Sequence, residues 1–468
     1  MSEDDPSAVT EGAATGNGGA RRTSRGAVMF RALRYRNFQL FFGGQLISLI
    51  GTWMDTIAEA WLVYRLTGSS LMLGTVAFAG QIPVFLLAPL GGMVADRLDR
   101  RKVVIATQTS SMILAGILAA LTLSGRVKVW EVAALAASMG VVNAFDIPAR
   151  QAFLVEMVGR EDLMNAIALN SSMFNGARVI GPAIAGILVA YIGEGWCFFA
   201  NSVSYIAVIA GLLMMRIEPR AIEEHLTSAI DHIAEGFRFV HRTAPIWALL
   251  LLLGLVSLVA MPYSVLMPVF AAKILHGNAQ TLGELMGATG IGALTGALVL
   301  ASRTGLKGLS HWVANSCAGF GLALILFSFS HWRIISIVLL VPAGFSMMVQ
   351  MASSNTLIQA MVPDRLRGRT MAVYSMMFMG MAPVGSFLAG AIADRIGAQW
   401  TVALGGIGAL AGAFFFSRKL PQLRVEAREL ILAQATAGGE PAGNMTSRAL
   451  EVQPPQVAKN SPVASKQV

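Results

Sequence analysis

Long apolar runs separated by short polar connections dominate this sequence. Twelve runs reach roughly 20 residues, enough for a helix to cross a bilayer. They cover approximately 39–64, 71–94, 103–124, 129–149, 165–192, 196–215, 246–271, 282–302, 309–330, 333–353, 370–393 and 399–417. The pattern predicts an all-α polytopic membrane protein with twelve transmembrane helices.

Composition and charge agree with a membrane chain. Hydrophobic residues make up 55%, charged residues only 13%, and the mean hydropathy is +0.63. The net charge of +9 could indicate nucleic acid, but Lys and Arg concentrate in alternate connections, as around Arg97, Arg100 and Arg101. Under the positive-inside rule this places both termini in the cytoplasm. We expect a multi-pass protein of the plasma or inner membrane whose partners are the lipid bilayer and a small molecule, not nucleic acid.

Polar segments divide the chain into five parts. Residues 1–28 and 421–468 have the composition of disordered cytosolic tails, and the longest interior polar gap, 217–245, separates six-helix halves at 29–216 and 246–420. Within that gap Ile230, Ile233, Phe237 and Val240 recur every three or four residues, which predicts an amphipathic helix on the inner membrane face.

An internal repeat supports the division into halves. Shifting the chain by 204 residues places Gly176 on Gly380 and Gly186 on Gly390, with further matches along the region. Two parallel six-helix halves that rock around a midplane cavity are typical of secondary transporters.

The connection after the second segment carries a recognisable motif, Gly92-Met-Val-Ala-Asp96-Arg97-Leu-Asp99-Arg100-Arg101-Lys102. It resembles the loop motif GxxxD(R/K)xGR(R/K) of the major facilitator superfamily, with Asp99 in place of a Gly. Gly92 would permit a close helix approach, and Asp96 could contact the positive N-terminal end of a helix in the other half, forming a cytoplasmic gate. The alternative is a solvated charge run that only sets orientation.

Other segments resemble the branch of this superfamily that contains the enterobactin exporter and drug or macrolide efflux proteins. They are Arg36-Asn37-Phe38, Gly51-Thr52-Trp53-Met54, Trp61-Leu62-Val63-Tyr64 and Phe145-Asp146-Ile147-Pro148-Ala149-Arg150-Gln151. The resemblance covers roughly 30–420 and implies the major facilitator fold and export.

The fifth segment contains Gly176, Gly181, Pro182 and Gly186, and is similar to the antiporter motif gxxxGPxxGG. Gly181 and Pro182 would kink the helix and Gly186 would clear a packing face. Ordinary packing by small residues remains the alternative reading.

Charged residues inside the membrane point to a transport site. Asp55 and Glu59 lie one helical turn apart, and Arg178 lies in the fifth segment. We expect the two acids to face the cavity, where desolvation and mutual repulsion let one hold a proton that is exchanged for substrate, with Arg178 as the counter-charge. Alternatively the acids touch outer-surface water and Arg178 snorkels to the inner leaflet.

The cavity should be lined by segments one, four, seven and ten. Gln45, Asp55, Gln350 and Asn355 are its polar candidates, and the Met-rich eleventh segment favours an amphiphilic substrate. No phosphate loop GxxxxGK(S/T), metal-ligand set or catalytic triad occurs in the sequence, so we expect neither ATP hydrolysis nor enzymatic activity. We further expect a monomeric transporter without cofactor, driven by a proton gradient. An importer or lysophospholipid flippase of the same fold, or a transporter-like sensor or scaffold, stays open.

Overall fold

The computed structural model describes residues 30–159, 161–217, 229–303, 305–306 and 308–436. Twelve of its helices are long and apolar enough to cross a membrane: α1 Arg36–Thr67, α2 Ser70–Arg97, α3 Arg100–Leu123, α4 Val129–Val158, α5 Leu163–Ile192, α6 Glu194–Met214, α7 Ala244–Ile274, α8 Ala279–Ala301, α9 Leu309–Ser328, α10 Arg333–Met361, α11 Asp364–Ile396 and α12 Ala398–Thr436. No strand occurs within those ranges. The predicted all-α architecture with twelve spans is confirmed.

Twelve crossings return the chain to the side from which it started. We call the side where α1 begins and α12 ends the terminal side, and the opposite one the far side. Local sequence sets the sharp reversals: Gly68 ends α1 with φ 62°, and the Ser69 side chain accepts from the Met72 N–H to begin α2. Asp99 caps α3 by accepting from the Lys102 N–H at 3.3 Å, so the residue that replaces a motif glycine has an ordinary extended backbone.

The halves use the same close contact at repeated positions. A side chain at Gly140 of α4 would collide with the Gly80 carbonyl of α2, and one at Gly344 of α10 would collide with the Thr289 carbonyl of α8. Gly140 and Gly344 are 204 residues apart (344 − 140), the offset of the sequence repeat. Both small residues let two helices approach backbone to backbone.

The linker helix, Ala229–Arg242, precedes α7. Gly236 lies against the backbone of Arg369 at the start of α11, and Glu235 pairs with the Arg369 guanidinium. An amphipathic helix was predicted in this linker; residues 218–228 of the linker and the predicted tail at 1–28 lie outside the described residues.

The predicted disordered tail beginning at 421 is wrong over its first part. The α12 helix continues through Pro421 to Thr436 because Leu420 and Leu423 pack against the core of the C-terminal half. Together with Ala427 and Ile431 they form an apolar stripe at helical spacing, which keeps this stretch helical. The remainder of that tail, 437–468, is not among the described residues.

Candidate functional site

The two halves touch most closely on the far side. A Cβ added to Gly186 of α5 would lie 3.1 Å from the Gly283 Cα of α8, and one added to Gly74 of α2 would lie 3.1 Å from the Gly390 Cα of α11. The Ser69 hydroxyl also donates to Asp394 at 3.2 Å across this seam. Because two backbones meet at each glycine pair, this side is sealed to solvent.

The same face of α2 is open on the terminal side. Gly74, Gly92 and Asp96 are spaced at 18 and 22 residues, close to whole numbers of helical turns, so they share one face. The Gly92 position has no atom within 4 Å, and the Asp96 side chain is 74% exposed. The structure is therefore closed on the far side and open on the terminal side.

A small central cavity lies on the seam between the halves. It is lined by Trp53, Arg178, Pro182, Met261, Tyr263, Ser264, Met286, Thr289 and Met347, which come from α1, α5, α7, α8 and α10. The lining residues are apolar or neutral except Arg178. The cavity holds only about 30 Å³ in this conformation, so an organic molecule would fit it only after the halves separate further. A polarizable apolar wall with one cation would then suit a molecule that is itself amphiphilic.

Arg178 lies near the middle of α5 and lines the cavity between the halves. Its guanidinium carbon lies 5.6 Å from the ring centroid of Trp53, and Tyr263 of the other half is close by. A charged residue at the bilayer centre costs at least about 2.5 kcal/mol on insertion scales, whereas a cation–π contact returns about 0.5–2 kcal/mol. Within the described part of the chain Arg178 forms no ion pair. Its charge is thus only partly compensated.

The backbone of α7 supplies one wall of this cavity through irregular geometry. After the regular stretch Ala244–Val259, the chain continues as a 3-10 helix, Met261–Leu266, and later as a π turn, Phe270–Ile274. Pro262 and Pro268 lack an N–H donor and so interrupt the α-helical hydrogen bonds. Non-helical backbone at membrane depth is tolerated where it lines a cavity.

The predicted acid pair lies in a different place from Arg178. Asp55 is beside Asn201 of α6, where α1 and α6 approach at Gly51, and Glu59 is one turn nearer the far side. Within the described residues, neither the Asp55 Oδ1 nor the Asn201 Nδ2 atom has a hydrogen-bond partner, although both are buried. The structure keeps Asp55 and Glu59 together and does not pair them with Arg178, because Asp55 turns toward α6 while Arg178 contacts Trp53.

The polar candidates Gln45, Gln350 and Asn355 do not line the central cavity. Gln45 and Gln350 are each only 2% exposed and are not among the lining residues, and Asn355 accepts a hydrogen bond from Gln359 at 3.1 Å. The prediction failed because an amide looks the same in a sequence whether it packs inside a half or faces the midplane.

The loop motif after α2 is built around Arg100. This side chain is 9% exposed; it donates to the Ala95 and Ala152 carbonyls and pairs with Glu156 of α4 at 2.9 Å. Arg101 donates to the Leu212 and Leu213 carbonyls of α6, whereas Arg97 is exposed.

Two details of the predicted gate differ from the structure. Gly91, not Gly92, makes the close helix approach, against Ala144 of α4. The described partner of Asp96 is Arg100 in its own loop, at 3.5 Å, and not a helix end of the other half. The predicted contact with the other half does not occur in this conformation, in which the terminal side is open.

Two glycines of the motif in α5 contact helices of both halves. Gly181 packs on Trp53 and Met54 of α1, and Gly186 packs on Gly283 of α8, while the position of Gly176 is empty of neighbours. Pro182 is buried inside the helix. Gly186 therefore clears a packing face as expected, and Gly176 takes no part in it.

Sequence reasoning missed Trp53 and Tyr263 as cavity residues. The methionines of the cavity also come from α7, α8 and α10, not from the Met-rich α11, where Met376 and Met379 are exposed. Pro262 and Pro268 of α7 were the available signal, since they mark a break at membrane depth.

Comparison with known proteins agrees with this architecture. Residues 27–436 match a family described as transmembrane secretion effectors (MFS_3). The chain is 27% identical to the staphyloferrin A transporter of Staphylococcus aureus, over 82% of this chain and 97% of that one. It is 29% identical to the multidrug efflux pump Tap of Mycolicibacterium fortuitum, over 75% and 88%.

The fold resembles that of the nucleoside transporter NupG (D323A mutant), with a TM-score of 0.64 at 14% identity over 82% of this chain and 99% of that one. A match over most of the chain, the fold and the cavity between two six-helix halves agree on one family. The protein is therefore a transporter of the major facilitator superfamily and belongs to its transmembrane secretion effector family.

Proposed function

We propose that this transporter exports an amphiphilic small molecule, driven by a proton gradient, by alternating access. The observation that carries the proposal is the central cavity itself: residues of both halves line it, and the seam is sealed beyond it on the far side and open before it on the terminal side. A binding site shared by two halves changes its access when the halves rock.

Export is supported by two features. The buried Gly181-Pro182 pair and the Gly186 contact give α5 a kinked, tightly packed form like that of the antiporter motif. Among the relatives, Tap is named as an efflux pump. The substrate enters from the terminal side, which we assign to the cytoplasm because Arg97, Arg100 and Arg101 lie there. We place the protein in the plasma or inner membrane as a monomer without cofactor.

Proton coupling is assigned to Asp55 and Glu59. Two carboxylates one turn apart in a poorly hydrated site do not both ionise easily, so one retains a proton until water access changes. Asp55 is two residues from Trp53 of the cavity wall, and both belong to α1. A movement of α1 that accompanies substrate release can therefore open the acid pair to water.

The test is transport into everted membrane vesicles with a library of amphiphilic compounds, with and without a proton gradient. In the wild type, accumulation should depend on the gradient and disappear with an uncoupler. Asp55→Asn should lose gradient-driven export while still binding substrate, and Glu59→Gln should shift the pH dependence, because each keeps shape and removes charge. Glu161→Gln, which changes an exposed acid, is the matched control.

Two outcomes would contradict the proposal. If the double variant Asp55→Asn/Glu59→Gln exports with an unchanged pH profile and gradient dependence, the acid pair is structural. If right-side-out vesicles accumulate the compound and everted ones do not, the protein is an importer.

A further inference from the structure

The central cavity contains one feature that transport of a neutral molecule does not explain, the charge of Arg178. Its nine lining residues include no acid, and Arg178 has no ion pair among the described residues. Of the acid pair on α1, Asp55 lies toward α6 beside Asn201, and Glu59 is one turn further along. The protein therefore presents an uncompensated cation to whatever occupies the cavity.

The surroundings of Arg178 restrict the shape of its partner. The Trp53 ring occupies one face of the guanidinium, with Phe174 packed edge-on against that ring at 5.6 Å. Tyr263 lines the same cavity, packs edge-on against Phe320 with ring centroids 5.8 Å apart, and lies near Thr289. Met261, Met286 and Met347 complete an apolar wall. A guanidinium over one aromatic ring and beside such a wall fits a planar oxyanion attached to an apolar or aromatic body.

We propose that this cavity selects amphiphilic organic anions, with the carboxylate or sulfonate on Arg178 and the apolar body against Trp53 and the three methionines. This inference names the substrate class of the proposed function and rests on the central cavity being its substrate site. The bound anion neutralises the positive charge of Arg178, which the contact with Trp53 stabilises only in part. Cations of the same shape are rejected by the charge of Arg178.

The position of Arg178 also ties the anion to both halves. The Arg178 carbonyl is 3.1 Å from where a side chain would begin at Gly290 of α8, so α5 and α8 touch at this level. An anion bound to Arg178 next to Tyr263 consequently contacts the N-terminal and C-terminal halves at once.

The test is binding of three probes that share one fluorophore and differ in charge. Dansylglycine is anionic, dansylglycinamide is neutral and N-dansylethylenediamine is cationic. Binding to the purified full-length protein in non-ionic detergent is measured by isothermal titration calorimetry. We expect the wild type to bind dansylglycine about tenfold more tightly than dansylglycinamide, and the cationic probe most weakly.

Variants separate a charge effect from damage to the fold. Arg178→Gln should bring the affinities for the anionic and neutral probes within about twofold of each other while binding of the neutral probe persists, and Arg178→Lys should keep most of the preference. Arg418→Gln is the matched control, because Arg418 also lies over an aromatic ring, that of Phe414, but on α12 outside the cavity.

Several results would overturn the inference. They are an anion preference that survives Arg178→Gln, equal binding of the three probes by the wild type, or a preference for the cationic probe. Displacement of dansylglycine by lysophosphatidylglycerol but not by 1-naphthoate would show that the anion site serves a lipid instead. The binding assay uses no gradient and no vesicles, so a failure of export or of proton coupling leaves its result standing.

Discussion

Asp96 lies in the last turn of α2 and Arg100 begins α3 four residues later, yet the two side chains differ sharply in exposure. The Asp96 side chain is 74% exposed, and that of Arg100 is 9% exposed with partners on α4. One is therefore available for a contact that forms in another conformation, whereas the other holds the loop in place. Substitutions at the two positions should separate these roles.

Asp96→Asn should leave thermal stability unchanged and cripple transport. A carboxylate at a helix N-terminus contributes up to about 2 kcal/mol in a partly buried geometry, which corresponds to about a 30-fold change in the population of the state closed on the terminal side. Arg100→Ala should instead lower the melting temperature by several degrees, because breaking a buried ion pair costs about 3 kcal/mol or more. Vesicle transport and thermal unfolding of both proteins check this. Wild-type transport by well-expressed Asp96→Asn protein would refute the gate.

How well a sequence predicts the position of a single residue depends on how many structural roles that residue type can have. Arg100 and Gly186 were chosen from motifs, and each makes a tight contact. Gln45 and Gln350 were chosen as membrane-embedded amides, and both are buried and do not line the cavity. A motif residue is identified together with its neighbours in the sequence, whereas a buried amide can find a hydrogen-bond partner in many places, so the amides alone did not predict a position on the cavity.

Among the elements, α12 departs most from its predicted form. Its 39 residues extend about 58 Å at 1.5 Å per residue, far more than the roughly 30 Å hydrocarbon core. The end of α12 packs beside Pro245, Leu249 and Met361 on the terminal side of the C-terminal half. Pro421 reads as a helix terminator in the sequence, but the packing of Leu420 and Leu423 outweighs its local cost.

The last part of α12 should contribute to stability through one face only. Leu423 is 9% exposed and Val425 is 61% exposed on the same helix. Leu423→Asp should lower the melting temperature by several degrees, since it places a charge among apolar groups, while Val425→Asp should have little effect. Thermal unfolding in detergent measures both. Equal effects of the two substitutions would mean that this part of α12 is not docked as described.

On the scale of the whole molecule, the far-side closure depends on two glycine pairs at repeat-related positions. Gly186 and Gly390 are 204 residues apart (390 − 186), and each meets a glycine of the other half. A side chain at either position would push the halves apart on the far side. The two repeat-related glycines thus make equivalent contacts between the halves, one at each edge of the seam.

Gly186→Val should therefore shift the protein toward a state open on the far side. A cysteine at the buried position Ser70, whose carbonyl contacts Gly390, should then react about tenfold faster with an impermeant maleimide added from the far side, since overpacking costs about 1–3 kcal/mol. The native Cys197 and Cys317 are buried and do not interfere. Gly176→Val is the control because its position has no neighbour. Unchanged labelling in Gly186→Val would contradict a closure that rests on this pair.

The sequence was sufficient for the number of spans, the pairing of halves and the family, because apolar length and a repeated offset are properties of the chain itself. It was not sufficient to predict which residues line the cavity. Trp53 and Asp55 of α1 meet different helices because α5 packs against one part of α1 and α6 against another. The hydrophobic periodicity of a helix surrounded by other helices does not predict which face meets which neighbour. The open terminal side likewise belongs to one conformation among several.

The irregular stretch of α7 has a mechanical meaning. A 3-10 helix rises about 2.0 Å and turns about 120° per residue, against about 1.5 Å and 100° for an α-helix. Converting the six residues Met261–Leu266 from one to the other would shorten α7 by about 3 Å and rotate its two ends relative to each other by about 120°. Tyr263 lies within this 3-10 stretch. A change of helical pitch over six residues would therefore turn the Tyr263 ring relative to Arg178 and move the two ends of α7.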